Sequence, residues 1–204
     1  MHLFDQPILG VAILLLLLML VSVKQASTGS ILEKPAGNLL AQLVNIFNLF
    51  FLLVVNPLAA IALIMPGLPQ LDPTHFTVPG SWLLTGVEIL ALQVYVAGFG
   101  LMAWALSTLG RNYQLGGSEP RAEDQMVTDG PYTSIRHPMY TAALCISLGL
   151  AWPVQSWAFL SVFIVYLILI LALIPMEEQG LQKAYGAADA DYQRRTRMLL
   201  PSVC

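Results

Sequence analysis

Apolar residues in this chain come in long blocks, without the alternation that gives a helix or strand one wet face. The first block runs from Pro7 to Val23 and includes the unbroken Leu14–Leu18 stretch. A helix crossing the hydrocarbon core of a bilayer takes roughly 20 such residues, with a lower limit near 17, so this block predicts a first span. Met1–Gln6 has no Lys or Arg and carries Asp5, unlike the positive leader of a cleaved signal peptide, so the span is expected to be retained. The second block, Leu39–Met65, is interrupted by Asn45, Asn48, Asn56 and Pro57. Its length and its proline predict a tilted or kinked helix. The third, Trp82–Leu109, begins at an interfacial Trp and contains Glu88. The stretch Met139–Ile174 is too long for one crossing and holds Pro153. It predicts a hairpin of Met139–Trp152 and Trp157–Ile174, with the two tryptophans bracketing the turn in an aromatic belt. The expected fold class is an all-α integral membrane protein of about five transmembrane helices, ending in a C-terminal helical hairpin. Residues 1–109 would carry three N-terminal spans, and 110–204 a loop, the hairpin and a tail, all in one membrane domain.

Composition agrees and narrows the options. Of 204 residues, 57% are hydrophobic and 10% charged, and the mean hydropathy is +0.71. A soluble domain runs near 45–50% apolar and about 25% charged. Nine Lys and Arg are too few for a nucleic-acid footprint. Two cysteines, Cys145 and Cys204, and three scattered histidines, His2, His75 and His137, make no disulfide framework and no metal-ligand pattern.

Placement of the cations adds topology. Lys24 and Lys34 follow the first span, and Arg111, Arg121 and Arg136 follow the third. Lys183, Arg194, Arg195 and Arg197 lie in the tail. The N-terminus, the Pro66–Ser81 loop and the Pro153 turn hold none. With five crossings all nine cations fall on one face, which the positive-inside rule makes cytoplasmic. The loop at 110–138 and the C-terminus are therefore expected to be cytoplasmic. The tail reads as a helix to about Tyr185, a stop at Gly186, and a short helix over Ala187–Arg195.

Polar chemistry gathers where the hairpin meets that face. Ser134 to Tyr140 leads into the first arm, with Pro138 suited to a helix start, and Pro175-Met176-Glu177-Glu178 leaves the second arm. The arms are antiparallel, so Arg136–Tyr140 and Glu177–Glu178 should lie at one depth and within side-chain reach. Interfacial anchoring explains such residues equally well. Glu88, close to the other interface, reads first as a snorkelling anchor and second as a residue lining an acceptor's route, Cys145 as a small buried apolar residue, and Arg194 and Arg195 as headgroup contacts. Asn45 and Asn48 share a helix face and suit either helix–helix glue or a substrate route. Cys204 is not in a C-a-a-X box.

The segment VTDGPYTSIRHPMY, followed by EEQGLQKAYGAADADYQRRTRMLLP, resembles the isoprenylcysteine carboxyl methyltransferase and phospholipid methyltransferase superfamily. The hallmark of that group is G-x-Y, then R-H-P-x-Y, a hairpin, E-E, F-G-x-x-Y-x-x-Y and a final Arg and Pro. The upstream LGRNYQ is similar to its L-G-x-x-W segment. The resemblance covers about Leu109 to Pro201. Here Ala142 follows Thr141 where many members have Gly, and Tyr113 stands where Trp is common.

The resemblance implies an S-adenosylmethionine-dependent methyltransferase acting on a lipophilic acceptor at a bilayer. The first acceptor it suggests is an isoprenylcysteine α-carboxylate, and the second a phospholipid (ethanolamine) amine. It implies a cofactor pocket lined by Val127, Gly130, Tyr132, Arg136, His137, Pro138, Tyr140, Glu177 and Glu178. Arg136 can pair with a carboxylate, and Tyr132 and Tyr140 offer aromatic faces to a sulfonium. Glu177 or Glu178 can hold the ammonium or the diol. Arg136, Glu178 and Arg197 are the expected catalytic set. Asn45, Asn48 and Arg197 are expected toward the acceptor. Two other readings of the same residues are an NADPH-dependent sterol-type membrane reductase and a non-catalytic membrane scaffold.

Overall fold

The computed structural model describes residues 6–31, 38–65, 71–76, 82–114, 121 and 124–200, with side chains of 82–84 left aside. His2, Lys34, Pro201 and Cys204, named above, lie outside the described residues. The elements are α1 (Gln6–Thr28), α2 (Leu39–Phe50), α3 (Asn56–Ile64), α4 (Trp82–Leu109), α5 (Pro138–Val154), α6 (Trp157–Tyr185) and α7 (Ala187–Arg195). The fold is all-helical. Among the described residues four helical stretches are long and apolar enough to cross a membrane: Gln6–Thr28, Leu39–Ile64, Thr85–Asn112 and Trp157–Tyr185. The fifth apolar helix, α5, has 17 residues. At 1.5 Å per residue it spans about 26 Å, short of the roughly 30 Å hydrocarbon core.

The interruption expected at Asn56 and Pro57 takes the form of a π-helical turn, Phe51–Val55, joining α2 to α3. Pro57 has no N–H to return, and the helix passes it by widening one turn. The Asn56 backbone N–H reaches the Phe51 carbonyl, and Asn56 Nδ2 donates to the same oxygen at 3.0 Å. Tyr95 Oη of α4 donates to Asn56 Oδ1 at 2.9 Å. The polar break is thus satisfied from within a buried layer.

Helices α4 and α5 form the most extensive contact of the fold. They run antiparallel and touch backbone to backbone at glycines. A Cβ on Gly149 would lie 2.6 Å from the Ala91 carbonyl oxygen, and one on Gly98 would lie 2.9 Å from that of Ala142. Small residues at such crossings let helices gain dispersion contacts, the main attraction left between apolar helices in lipid.

Pro153 sits in the last turn of α5, and Gln155, at φ 52°, reverses the chain into α6. Residues 71–76 lie on this reversal. Phe76 N–H donates to the Gln155 carbonyl at 2.9 Å and Trp157 N–H to that of Thr74 at 3.1 Å. The Phe76 ring packs against Trp152 and Trp157. Helix α6 continues through Pro175 to Tyr185, and Gly186, at φ 57°, turns the chain into α7. Glu88, expected to snorkel, is instead 4% exposed, inside the packed helices.

Candidate active site

A short segment before α5 sets the site's geometry. Gly130–Thr133 forms one 3-10 turn. Gly130 has φ +57°, and a Cβ there would meet Thr108 Oγ1 at 2.6 Å and Trp104 Nε1 at 3.1 Å. Glycine is therefore needed twice, for the left-handed backbone and for the close seat on α4. The chain then runs extended past Ile135, where the tail joins it. Ile135 and Arg197 form an isolated parallel bridge. Arg197 N–H donates to the Ser134 carbonyl at 3.0 Å, Arg136 N–H to Arg197 at 2.7 Å, and His137 N–H to Met198 at 3.1 Å. Thr141 Oγ1 adds a bond to the Leu199 carbonyl at 2.5 Å. Tyr192 Oη of α7 donates to the Tyr132 carbonyl at 2.7 Å. The tail is laced across the entrance to α5.

The charged cluster grows from this lacing. Arg136 Nε donates to Glu178 Oε1 at 2.7 Å, and its Nη1 donates to the carbonyls of Gln193 at 3.1 Å and Thr196 at 2.7 Å. His137 Nε2 lies 3.2 Å from the same Glu178 oxygen. Its ring stacks on Tyr140, with centroids 5.7 Å apart. Tyr140 Oη donates to Glu177 Oε2 at 2.9 Å. The hairpin thus brings Arg136, His137 and Tyr140 of one arm onto Glu177 and Glu178 of the other. Glu178 collects an arginine and an imidazole, while Glu177 takes the phenol.

Beside this cluster lies a cavity of about 340 Å³ with a mixed lining. Leu20, Leu49, Leu52, Leu53 and Leu106, from α1, α2, the π turn and α4, are apolar members of it. Tyr132, Glu177, Tyr185, Asp189 and Tyr192 are polar ones. Of the residues named from sequence, Val127, Tyr132, Arg136, His137, Pro138, Tyr140, Glu177, Asn45 and Asn48 line the cavity. Gly130, Glu178 and Arg197 are not among its lining residues: Gly130 is a seat on α4, Glu178 backs Arg136 and His137, and Arg197 is exposed, with its backbone in the bridge. Asn48 accepts a hydrogen bond from Tyr166 Oη of α6.

Three lining groups were not singled out in the sequence. Lys24, near the end of α1, donates to the Ser30 carbonyl at 3.0 Å and stands 4.6 Å from the Tyr113 ring centre. In sequence it served only as a topology marker. Tyr192 is buried, which pushes its phenol up to about 12. Asp189 is 1% exposed, and burial raises its carboxyl above the usual range, a shift moderated by the hydrogen bond from Gln193. Its signal was available. In the F-G-x-x-Y-x-x-Y pattern the first tyrosine falls at Asp189, a departure toward negative charge.

Residues 87–188, half of the chain, match the family model described as phospholipid methyltransferase. The chain is 32% identical over 103 residues to the cobalt-zinc-cadmium resistance protein CzcN of Cupriavidus metallidurans, covering 50% of this chain. It spans about half the length of that curated relative, 47%. In fold it is similar to the eukaryotic intramembrane Ras methyltransferase ICMT, an isoprenylcysteine carboxyl methyltransferase. The match has a TM-score of 0.53 and 18% identity, over 80% of this chain and 74% of that one.

Proposed function

The chain belongs to the phospholipid methyltransferase family, and from that premise we propose that it is an S-adenosylmethionine-dependent methyltransferase for a lipophilic acceptor. The observation that carries this reading is the mixed lining of the cavity. Apolar residues from helices long enough to cross a bilayer share it with carboxylates and phenols. A polar methyl donor and a lipid acceptor need such a junction. The volume of about 340 Å³ lies within the roughly 300–1,000 Å³ of small-molecule sites.

The residues fit the donor's chemistry. Carboxylates at Glu177 and Asp189 suit an ammonium or a diol. The faces of Tyr132 and Tyr192 suit adenine or a sulfonium. Arg136 retains Nη2 beyond the bonds that fix it. When bound, S-adenosylmethionine supplies an electrophilic methyl that an acceptor lone pair takes in an in-line displacement. The protein's part is orientation and the exclusion of water. Glu178 holds Arg136 and His137 in place, Arg136 pins the tail carbonyls, and the tail supplies Asp189 and Tyr192 to the lining. In this reading Arg136, Glu178 and Arg197 are positioning residues more than reacting ones.

The acceptor reading we favour is an isoprenylcysteine-type α-carboxylate. Such a group is already nucleophilic, needs no base, and can be held by Lys24, which lines the cavity. Asn45 and Asn48 would flank its route. A phospholipid amine is the second reading, drawing on the matched family's description; it would first lose a proton, for which His137 or Glu177 is at hand. In this reading the loop at 110–138 and the tail face the cytoplasm, and the chain forms one membrane domain.

The test is calorimetric titration of the detergent-purified protein with S-adenosylmethionine and, separately, NADPH. Saturable S-adenosylmethionine binding that His137→Ala and Glu177→Ala each weaken at least tenfold supports the reading. Binding of NADPH alone replaces it with a reductase, and binding of neither favours a scaffold. Methyl transfer to prenylcysteine analogues or to phosphatidylethanolamine then decides the acceptor.

A further inference from the structure

Asp189 is an expensive residue to keep. Its carboxylate is almost wholly buried and lines the cavity. Gln193 Nε2, one turn on, donates to Oδ2 at 2.7 Å. Among the described residues no cation pairs with it directly: Arg136 and His137 attract its charge, but their side chains bond Glu178 and the tail. A carboxylate in that setting is destabilising unless something else satisfies it.

Helix capping does not account for it. Asp189 is in the first turn of α7, where negative charge is favoured, and it stands three residues after Gly186, the position of a capping box. Yet the Gly186 N–H goes to the Gln182 carbonyl at 2.9 Å, and Asp189 lines the cavity. Tyr132, Glu177 and Tyr192 share that lining, and Glu178, Arg136 and His137 act on its charge. A polar setting of this kind suits the water-borne reactant.

We propose that Asp189 is a contact for the methyl donor, its open carboxylate oxygen accepting hydrogen bonds from the donor's ribose diol or its ammonium group. The inference rests on the reading of this cavity as an S-adenosylmethionine site and adds a residue to it. Asp189 and Glu177 then divide the donor's cationic and hydroxyl groups between them, on α7 and α6. Because α7 is held by Tyr192 on Tyr132 and by Arg136 on Gln193 and Thr196, the donor's arrival and the seating of the tail are coupled.

The experiment is calorimetric titration of wild type, Asp189→Asn and Asp191→Asn with S-adenosylhomocysteine and with 5′-methylthioadenosine, which keeps the diol but lacks the amino acid. Asn is nearly isosteric and keeps an acceptor for Gln193. Asp191 pairs with Arg194 and Arg195 on the exposed face of the same helix and serves as the control. Asp189→Asn is expected to lose at least tenfold in S-adenosylhomocysteine affinity while Asp191→Asn stays within twofold. A matching loss for 5′-methylthioadenosine assigns the contact to the diol, and a loss confined to S-adenosylhomocysteine assigns it to the ammonium. Asp189→Ala, with the same expectation, is read where the Asn variant shows no cooperative melting. Wild type that binds S-adenosylhomocysteine with an unchanged Asp189→Asn overturns this inference alone. Wild type that binds none overturns the donor reading, and this inference with it.

Discussion

At the residue scale, Asp189 and Arg136 show how a site differs from a structural network. Burial raises the Asp189 carboxyl above its unfolded value, so its contribution to stability is fully present below the unfolded carboxylate pKa and is lost as pH rises through the folded one. At neutral pH the protein therefore carries the cost of a buried charge. Asp189→Asn removes that charge, and its melting temperature at pH 7.5 should exceed wild type by about 2–4 °C per kcal/mol recovered, with the gain vanishing near pH 4. Lower stability of the Asn variant at pH 7.5 in detergent thermal-shift measurements would make Asp189 a structural residue. Arg136 is the opposite case, because its bonds go to protein. Lysine keeps the charge but not the planar fork, so Arg136→Lys should retain the attraction to Glu178 and lose the simultaneous grip on Gln193 and Thr196. Hydrogen exchange over residues 187–200 should rise at least tenfold in that variant, with cleavage by added protease concentrated there. Unchanged exchange would mean the bridge of Ile135 with Arg197 holds the tail alone.

At the scale of elements, the α4–α5 contact sets the depth at which His137 and Tyr140 are presented. Gly149 stands against the backbone of Ala91 and Tyr95, while a Cβ on Gly100, on the same α4, would meet nothing within 4 Å. Gly149→Val should destabilise the protein by about 1–3 kcal/mol through overpacking, and Gly100→Ala should leave it unchanged or slightly more stable. Equal melting of the two variants would remove the close crossing from the account. These glycines also mark where sequence reading ran out. Gly98 and Gly149 sit in apolar blocks that read the same whether a helix faces lipid or another helix. By contrast Trp82–Leu109, the stop at Gly186 and the approach of Arg136 to Glu178 were legible, because block length, a chain-breaking residue and an antiparallel hairpin each have one local consequence. Pro57 announced an interruption, but not the π turn or the Tyr95 that reaches Asn56 from another helix. Asp189 was missed for a related reason: its burial exists only because α7 folds back on Tyr132, a contact sixty positions away in sequence.

For the whole molecule, contacts among the described residues at the two ends of the helix bundle bear on the path of the chain. The α5–α6 reversal is joined to residues 71–76 through Phe76, Thr74 and Gln155, so both belong to one end. The opposite end holds Lys24 beside Tyr113, Arg121 on the Arg111 carbonyl, and Arg136 bound to the tail. If Met139–Ile174 crossed once, the tail would stand on the side of residues 71–76 and could not lace onto Ser134–His137. The short α5 therefore returns as α6, and we propose that the described cations at the end holding the tail face the cytoplasm, as the positive-inside rule expects. This predicts sided labelling. In a background with Cys145→Ala and Cys204→Ser, Leu71→Cys, at a position 77% exposed, should react with a membrane-impermeant maleimide on intact cells. Arg194→Cys, whose native side chain is 75% exposed, should react only after permeabilisation. Labelling of both from the same side would break the five-crossing path.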